Sequence, residues 1–253
     1  MKNNDEIIVY WGMYEGKQHG SSEYMLEITE PQNIFSLIKD FKNKITPTNK
    51  SSASNILACP AIYSYLKNIF VVKCPLDIDI SVQNNEIVTT DRNQIFFDNH
   101  IKAHDVSTGF FQLKIPFFFF TEEESLKVRQ SGSLYANTDI ENKLHTICGE
   151  FDIGNWFRDF SVAYVCKEQP CNIKIQKNDP LYFLEFFTDK KIIFKQFYFN
   201  EELLTCAYYC LLHKNSNNRL PILSYFTYIY DIFKRSQLKS RILKNIKNNL
   251  YKS

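Results

Sequence analysis

The chain has 253 residues, 44% of them hydrophobic and 23% charged, with a formal net charge of +2. That length buries a sizeable core, as one large domain or two small ones, and so small a charge leaves no whole-molecule field to attract nucleic acid. The longest apolar run, IPFFFF at 115–120, falls well short of the roughly 18 residues that a membrane span needs. The start, MKNNDEIIVYWG, lacks the apolar run and small-residue cleavage site of a secretory signal.

Aromatic residues are abundant, 22 Phe and 15 Tyr against 7 Gly. EIIVYWG (6–12) predicts a strand with both faces apolar, hence an inner one, and SSEYMLEIT (21–29) a further extended stretch. Over 31–45 the period changes: Ile34, Leu37, Ile38, Phe41 and Ile45 recur at helical spacing, with Pro31 in the first turn. TPTNKSSASN (46–55) is polar and reads as a surface loop.

A short turn of helix is predicted after Cys59, then two strands broken by Pro75. In the second, Leu76, Ile78, Ile80 and Val82 alternate with Asp77, Asp79 and Ser81, the mark of one wet face. EIVTTD (86–91), NQIFFD (93–98) and the two halves of GFFQLKIPFFFF (109–120) follow as strands. Residues 122–148 are charged and carry no clear period. Strands return in SVAYVC (161–166), CNIKIQ (171–176), YFLEFFT (182–188) and KIIFKQFYF (191–199), with turns at Asn178–Pro180 and Thr188–Lys190. From Asn200 the period is helical, in EELLTCAYYCLLHK (201–214), LSYFTYIYDIFKRS (223–236) and a basic amphipathic end.

The fold class is therefore α+β, mainly antiparallel β: a β-sandwich or jelly-roll-like core with an early helix and a helical C-terminal segment. Residues 1–200 form the β-rich domain, and 201–253 are helices packed on it.

Chemistry is sparse. Cys206, Cys210 and His213 share one helix face, but they also continue the apolar stripe of Leu203 and Ala207, so a buried face is expected and no metal. His100 and His104, in DNHIKAHD, fall in a polar turn between strands. CKEQPC (166–171) reads as a hairpin loop, not a redox pair at a helix start. There is no Gly-x-Ser-x-Gly, phosphate-binding glycine loop or dinucleotide fingerprint, and no cofactor is expected. Seven cysteines, an odd number without repeating spacing, read as reduced thiols. After Asp231 every charge is basic, beside an Ile242–Ile246–Leu250 stripe. This end is expected to pack as a helix with a solvated basic face, dispensable for the β-rich part. Contact with an acidic surface is its alternative role.

IIVYWGMYEG, CPAIYSYLKNIFVVKCPLDIDI, FDIGNWFRDF and IQKNDPLYFLEFFT together resemble uncharacterised proteins of tailed phages that infect marine and cyanobacterial hosts. The features that carry the resemblance are Trp11 beside a short strand, Cys59–Ala61 leading to Lys67–Asn68, Trp156 with Arg158, and the Lys177–Pro180 turn. It spans residues 6 to 200 and brings no activity with it. The expected function is that of a phage-encoded, non-enzymatic protein-interaction or virion-associated module, in the host cytoplasm or the virion, whose partner is a protein and not nucleic acid. The alternative is a jelly-roll binder of a small ligand, or a metal-dependent enzyme, with its pocket inside the β core. The candidate binding residues are Trp156, Arg158, Lys67 and Asn68. An arginine beside a tryptophan stacks and binds an anion, or it anchors a loop. If Trp156 packs on the sheet, its replacement by alanine removes about 3–5 kcal/mol.

Overall fold

The computed structural model describes residues 5–14, 28–38, 60–83, 86–89, 100–133, 136–216, 233 and 237–251, with the backbone alone over 211–216. The extended stretch expected at 21–27, the helix beyond 38, the loop at 46–55, the strand at 93–98 and most of the helix at 223–236 lie outside them.

The described strands are β1 (Glu6–Met13), β2 (Gln32–Asn33), β3 (Ile69–Lys73), β4 (Ile78–Gln83), β5 (Glu86–Thr89), β6 (Ile101–Asp105), β7 (Phe110–Leu113), β8 (Phe117–Thr121), β9 (Lys127–Ser131), β10 (Leu144–Ile147), β11 (Gly149–Asp152), β12 (Val162–Cys166), β13 (Cys171–Ile175), β14 (Pro180–Phe186) and β15 (Lys191–Gln196). The helices are α1 (34–38), α2 (Pro60–Leu66), α3 (Asp139–Lys143), α4 (Glu201–Ser216) and α5 (Leu238–Asn248). Four sheets run β15-β1-β8, β10-β12-β7-β6, β11-β9-β14-β3-β2 and β13-β4-β5. The β1–β15 pair is parallel and the other described pairs are antiparallel. The chain is α+β with mostly antiparallel sheet.

All four sheets turn side chains into one large core that includes Trp11, Val72, Ile80, Phe111, Val128, Tyr164 and Ile173. Two further clusters explain the continuous apolar runs. On β8, Phe117 and Phe119 face the main core, while Phe118 and Phe120 face a second cluster with Tyr10, Phe157, Leu203, Ile242 and Ile246. The β15-β1-β8 sheet is thus a partition covered on both sides at β1 and β8, which carry no polar alternation. β3 does the same: Phe70 and Val72 enter the main core, and Ile69 and Val71 a third cluster under α1 and α2.

Several expectations change. Pro31 does not open the early helix. It precedes β2, and Asn33 caps the helix instead, accepting from the Phe35 N–H at 3.0 Å. Residues 122–148 hold β9, α3 and β10, which give no clear sequence period because β9 turns Val128 and the polar Gln130 inward and β10 buries Leu144 alone among its four residues. His104 stands on the exposed edge strand β6, not in a turn. CKEQPC is no hairpin loop, since β12 pairs with β10 and β7 while β13 pairs with β4. The last helix ends at Asn248, and the chain then runs beside the end of β15, where the Tyr251 N–H donates to the Gln196 carbonyl at 3.0 Å.

The burial of the basic end argues against its being dispensable. Leu238, Ile242 and Ile246 are buried in the second cluster. Two of its cations meet acids of the same chain, Arg241 with Glu202 at 2.7 Å and Lys247 with Glu122 at 2.9 Å, and Lys239 donates to the Glu123 backbone carbonyl. Glu122 also accepts from the Tyr10 hydroxyl at 2.5 Å. Burial and this carboxylate hold the Tyr10 phenol above its ordinary range.

Candidate functional site

Lys67 and Asn68 form the turn from α2 into β3. Lys67 pairs with Asp189 at 3.0 Å, and the Asn68 amide donates to the Thr188 carbonyl. Asn33 donates to the Lys67 carbonyl at 2.7 Å, and the Phe186 N–H to that of Asn68 at 3.0 Å. These bonds tie the α2–β3 turn to β2 and to the β14–β15 turn. They use the polar groups for scaffold.

Trp156 and Arg158 lie on the connection between β11 and β12. Asp152 organises it: one carboxylate oxygen accepts from the N–H groups of Leu126 and Gly154, both at 3.0 Å, and the other from Ser125 Oγ at 2.9 Å. Gly154 is pressed on the backbone at 123–124, where a Cβ would meet the Glu123 carbonyl oxygen at 2.6 Å. The connection is irregular, not the extended bend that the alternation of Trp156 and Arg158 suggested, yet the two side chains do meet. The Arg158 guanidinium carbon sits 4.9 Å from the Trp156 ring centre, and Trp156 packs on Phe151. Trp156 is only half-buried, whereas Phe157 is fully buried among Phe118, Phe120, Phe197 and Phe199. The main anchor is therefore Phe157. Phe157→Ala is expected to lower stability by about 3–5 kcal/mol and Trp156→Ala by less, as urea unfolding of the two variants would measure. A larger loss at Trp156 would reverse the assignment.

Arg158 also lines a cleft of about 460 Å³ with Tyr14, Phe118, Leu204, Ala207 and Tyr208. Beyond Tyr14 and Leu204, which border both, lies a larger cleft of about 670 Å³. Its walls include Phe197, Tyr198, Phe199, Glu201 and Tyr251. The two open beside α4, outside the sheets. Asn200 starts that helix, its side-chain oxygen accepting from the Leu203 N–H at 2.8 Å. Leu203, Cys206, Ala207 and Cys210 then turn inward and leave Tyr208 and Tyr209 exposed. Tyr198 and Tyr251 are exposed too, their rings stacked with centres 3.5 Å apart. The helical period of EELLTCAYYC places Tyr208 and Tyr209 opposite the apolar stripe, whereas Tyr198 and Tyr251 carry no such local signal.

Other reactive groups are accounted for by burial. Cys206 and Cys210 belong to the second cluster, while the His213 side chain lies outside the described residues. Among the described residues no group of three or more His, Cys, Asp or Glu side chains is placed to hold a metal ion. Burial and the Lys114 ammonium hold the His100 imidazole down at about 4, so it is neutral at physiological pH. The six described cysteines are free thiols, and of these Cys148 alone is exposed. Burial pushes Cys74, Cys166 and Cys210 up to about 12. In a Cys59→Ala background a thiol reagent is expected to find one fast-reacting group in the native protein, abolished by Cys148→Ala. A second fast thiol would contradict the burial pattern.

Among the described residues no helix is long and apolar enough to cross a membrane. Compared with known proteins, the chain matches no family model, no curated protein and no solved structure.

Proposed function

We propose that the protein is a non-enzymatic binding module that engages a partner protein through the tyrosine-rich surface around α4. The observation that carries this reading is the exposure of Tyr198, Tyr208 and Tyr251 around two adjoining clefts. Tyrosine gives large contact area with few rotatable bonds and a polar tip, which suits it to interfaces. The mostly antiparallel sheets carry this surface, and the resemblance to tailed-phage proteins would make the partner a virion component or a host protein. Arg158, stacked on Trp156, lines the smaller cleft of the same surface.

The test is partner retention by the immobilised full chain from extracts of cells that express it. Tyr198→Ala combined with Tyr208→Ala is expected to lose the retained partner while melting at the parent temperature, because both side chains stand mainly in solvent. Equal retention by that variant would refute the reading.

A further inference from the structure

We infer that Cys166 and Cys171 form a dithiol that a hydroperoxide closes to a disulfide, a modification site separate from the tyrosine-rich surface. The two side chains meet across the CKEQPC connection, where the Cys166 thiol donates a hydrogen bond to the Cys171 sulfur. They stand at the end of β12 and the start of β13. Strand pairing holds both in place, Cys166 opposite Leu144 of β10 and Cys171 opposite Val82 of β4. Gly109 bounds Cys166 on a further side, since a Cβ there would meet the Cys166 Cβ at 2.8 Å and its sulfur at 3.1 Å. The connection is tied down as well: the Lys167 N–H donates to the Lys143 carbonyl at 2.9 Å, and the Gln169 side-chain amide to the Ser107 carbonyl at 3.1 Å. Two sulfurs already in contact at anchored strand ends join with little movement. The bridge would tie the four-stranded sheet covalently to β13-β4-β5.

The surroundings select both the attacking sulfur and the oxidant. Burial pushes Cys166 up to about 12. Burial raises Cys171 too, but there the bond from Cys166 and the Lys143 ammonium oppose it, while the Asp139 and Glu168 carboxylates add to it. Cys171 is therefore the better thiolate and attacks first. Its sulfur bonds to one peroxide oxygen, the O–O bond breaks and hydroxide leaves, which gives a sulfenic acid. Cys166 then loses its proton and attacks that sulfur, and the oxygen leaves as water. Together two thiols and one hydrogen peroxide give one disulfide and two waters. The oxidant must be small, because both side chains are buried, at 7% and 6% exposure, beneath the exposed residues 167–170.

The experiment treats the folded full chain, carrying Cys148→Ala to remove the exposed thiol, with hydrogen peroxide. Remaining thiols are then alkylated, and the chain is digested with trypsin without reductant. Trypsin cuts after Lys167, so only the bridge holds peptide 159–167 to peptide 168–174. The linked pair is expected, two hydrogens lighter than its parts and separated by reductant. In the same background Cys166→Ser is expected to leave a sulfenic acid at Cys171 that dimedone labels, whereas Cys171→Ser leaves Cys166 unlabelled. Recovery of both residues as alkylated thiols, oxidation of either without a bridge in the chain that keeps both, or a bridge from either to another cysteine overturns the inference. Dimedone labelling of Cys166 in the Cys171→Ser chain overturns the assignment of Cys171 as the attacker.

Discussion

Replacing Ile242 and Ile246 together by alanine is expected to abolish cooperative unfolding of the whole chain at room temperature. Both side chains are fully buried, one turn apart on α5, against Tyr10, Phe120, Leu203 and Cys206. Truncating a buried isoleucine removes about 2–5 kcal/mol, because the cavity left behind closes only in part. Two such losses rival the entire stability of an ordinary domain, about 5–15 kcal/mol. The sites are neighbours, so the sum is not strictly additive, but the direction is firm. Removing residues 237–253 acts the same way and more severely, since it also uncovers the partition sheet and takes Lys247 away from Glu122 and Arg241 from Glu202. Urea unfolding followed by tryptophan fluorescence and by far-ultraviolet dichroism checks it. A variant that unfolds like the parent would show that α5 is an accessory and not a wall of the core.

Trp11→Ala should rank next. Trp11 is 1% exposed in the middle strand of the partition sheet, opposite Phe119 of β8 and beside Gln196 of β15. Its ring fills space between elements that are fixed by pairing on both sides, so the hole cannot collapse, and about 3–5 kcal/mol is expected to be lost. Trp11→Phe discriminates between volume and polarity. The indole N–H is buried and has no hydrogen-bond partner among the described residues, so phenylalanine removes an unpaired donor while keeping most of the ring. A desolvated donor without a partner carries a penalty of about 1–3 kcal/mol, which offsets part of the smaller ring's packing loss. Thermal melts are therefore expected to order parent, Trp11→Phe and Trp11→Ala, with the first two closer together. If the two variants melt alike, packing around Trp11 is not what holds this sheet.

Much of the strand pattern was legible from residue order. Alternation in LDIDISV, SVAYVC and CNIKI marks half-wet strands, and the unbroken IIVYW and FFFF mark strands covered on both faces. Those signals are local, because side chains alternate across a sheet whatever lies next to it. The stripes of α4 and α5 are local in the same way. The helix at 60–66 and the turns at Asn178 and Thr188 also follow from nearby residues: Asn178 adopts φ 71°, a left-handed conformation that asparagine tolerates.

Strand partners were not legible. From β12 to β15 no strand pairs with its neighbour in sequence; β12 joins β7 and β10, β13 joins β4, β14 joins β3 and β9, and β15 joins β1. Any half-wet strand can pair with any other, and only the enclosing of one shared core selects among them. Strands β9 to β11 stayed hidden because they contribute few apolar side chains, and their place is decided by the edges they cover. The cleft belongs to the same class. Tyr14, Glu201 and Tyr251 are far apart in the chain, and they meet because α5 packs on the partition sheet and the residues after it run beside the end of β15. Local chemistry determined what each segment is; burial of two faces of one sheet decided which segments meet.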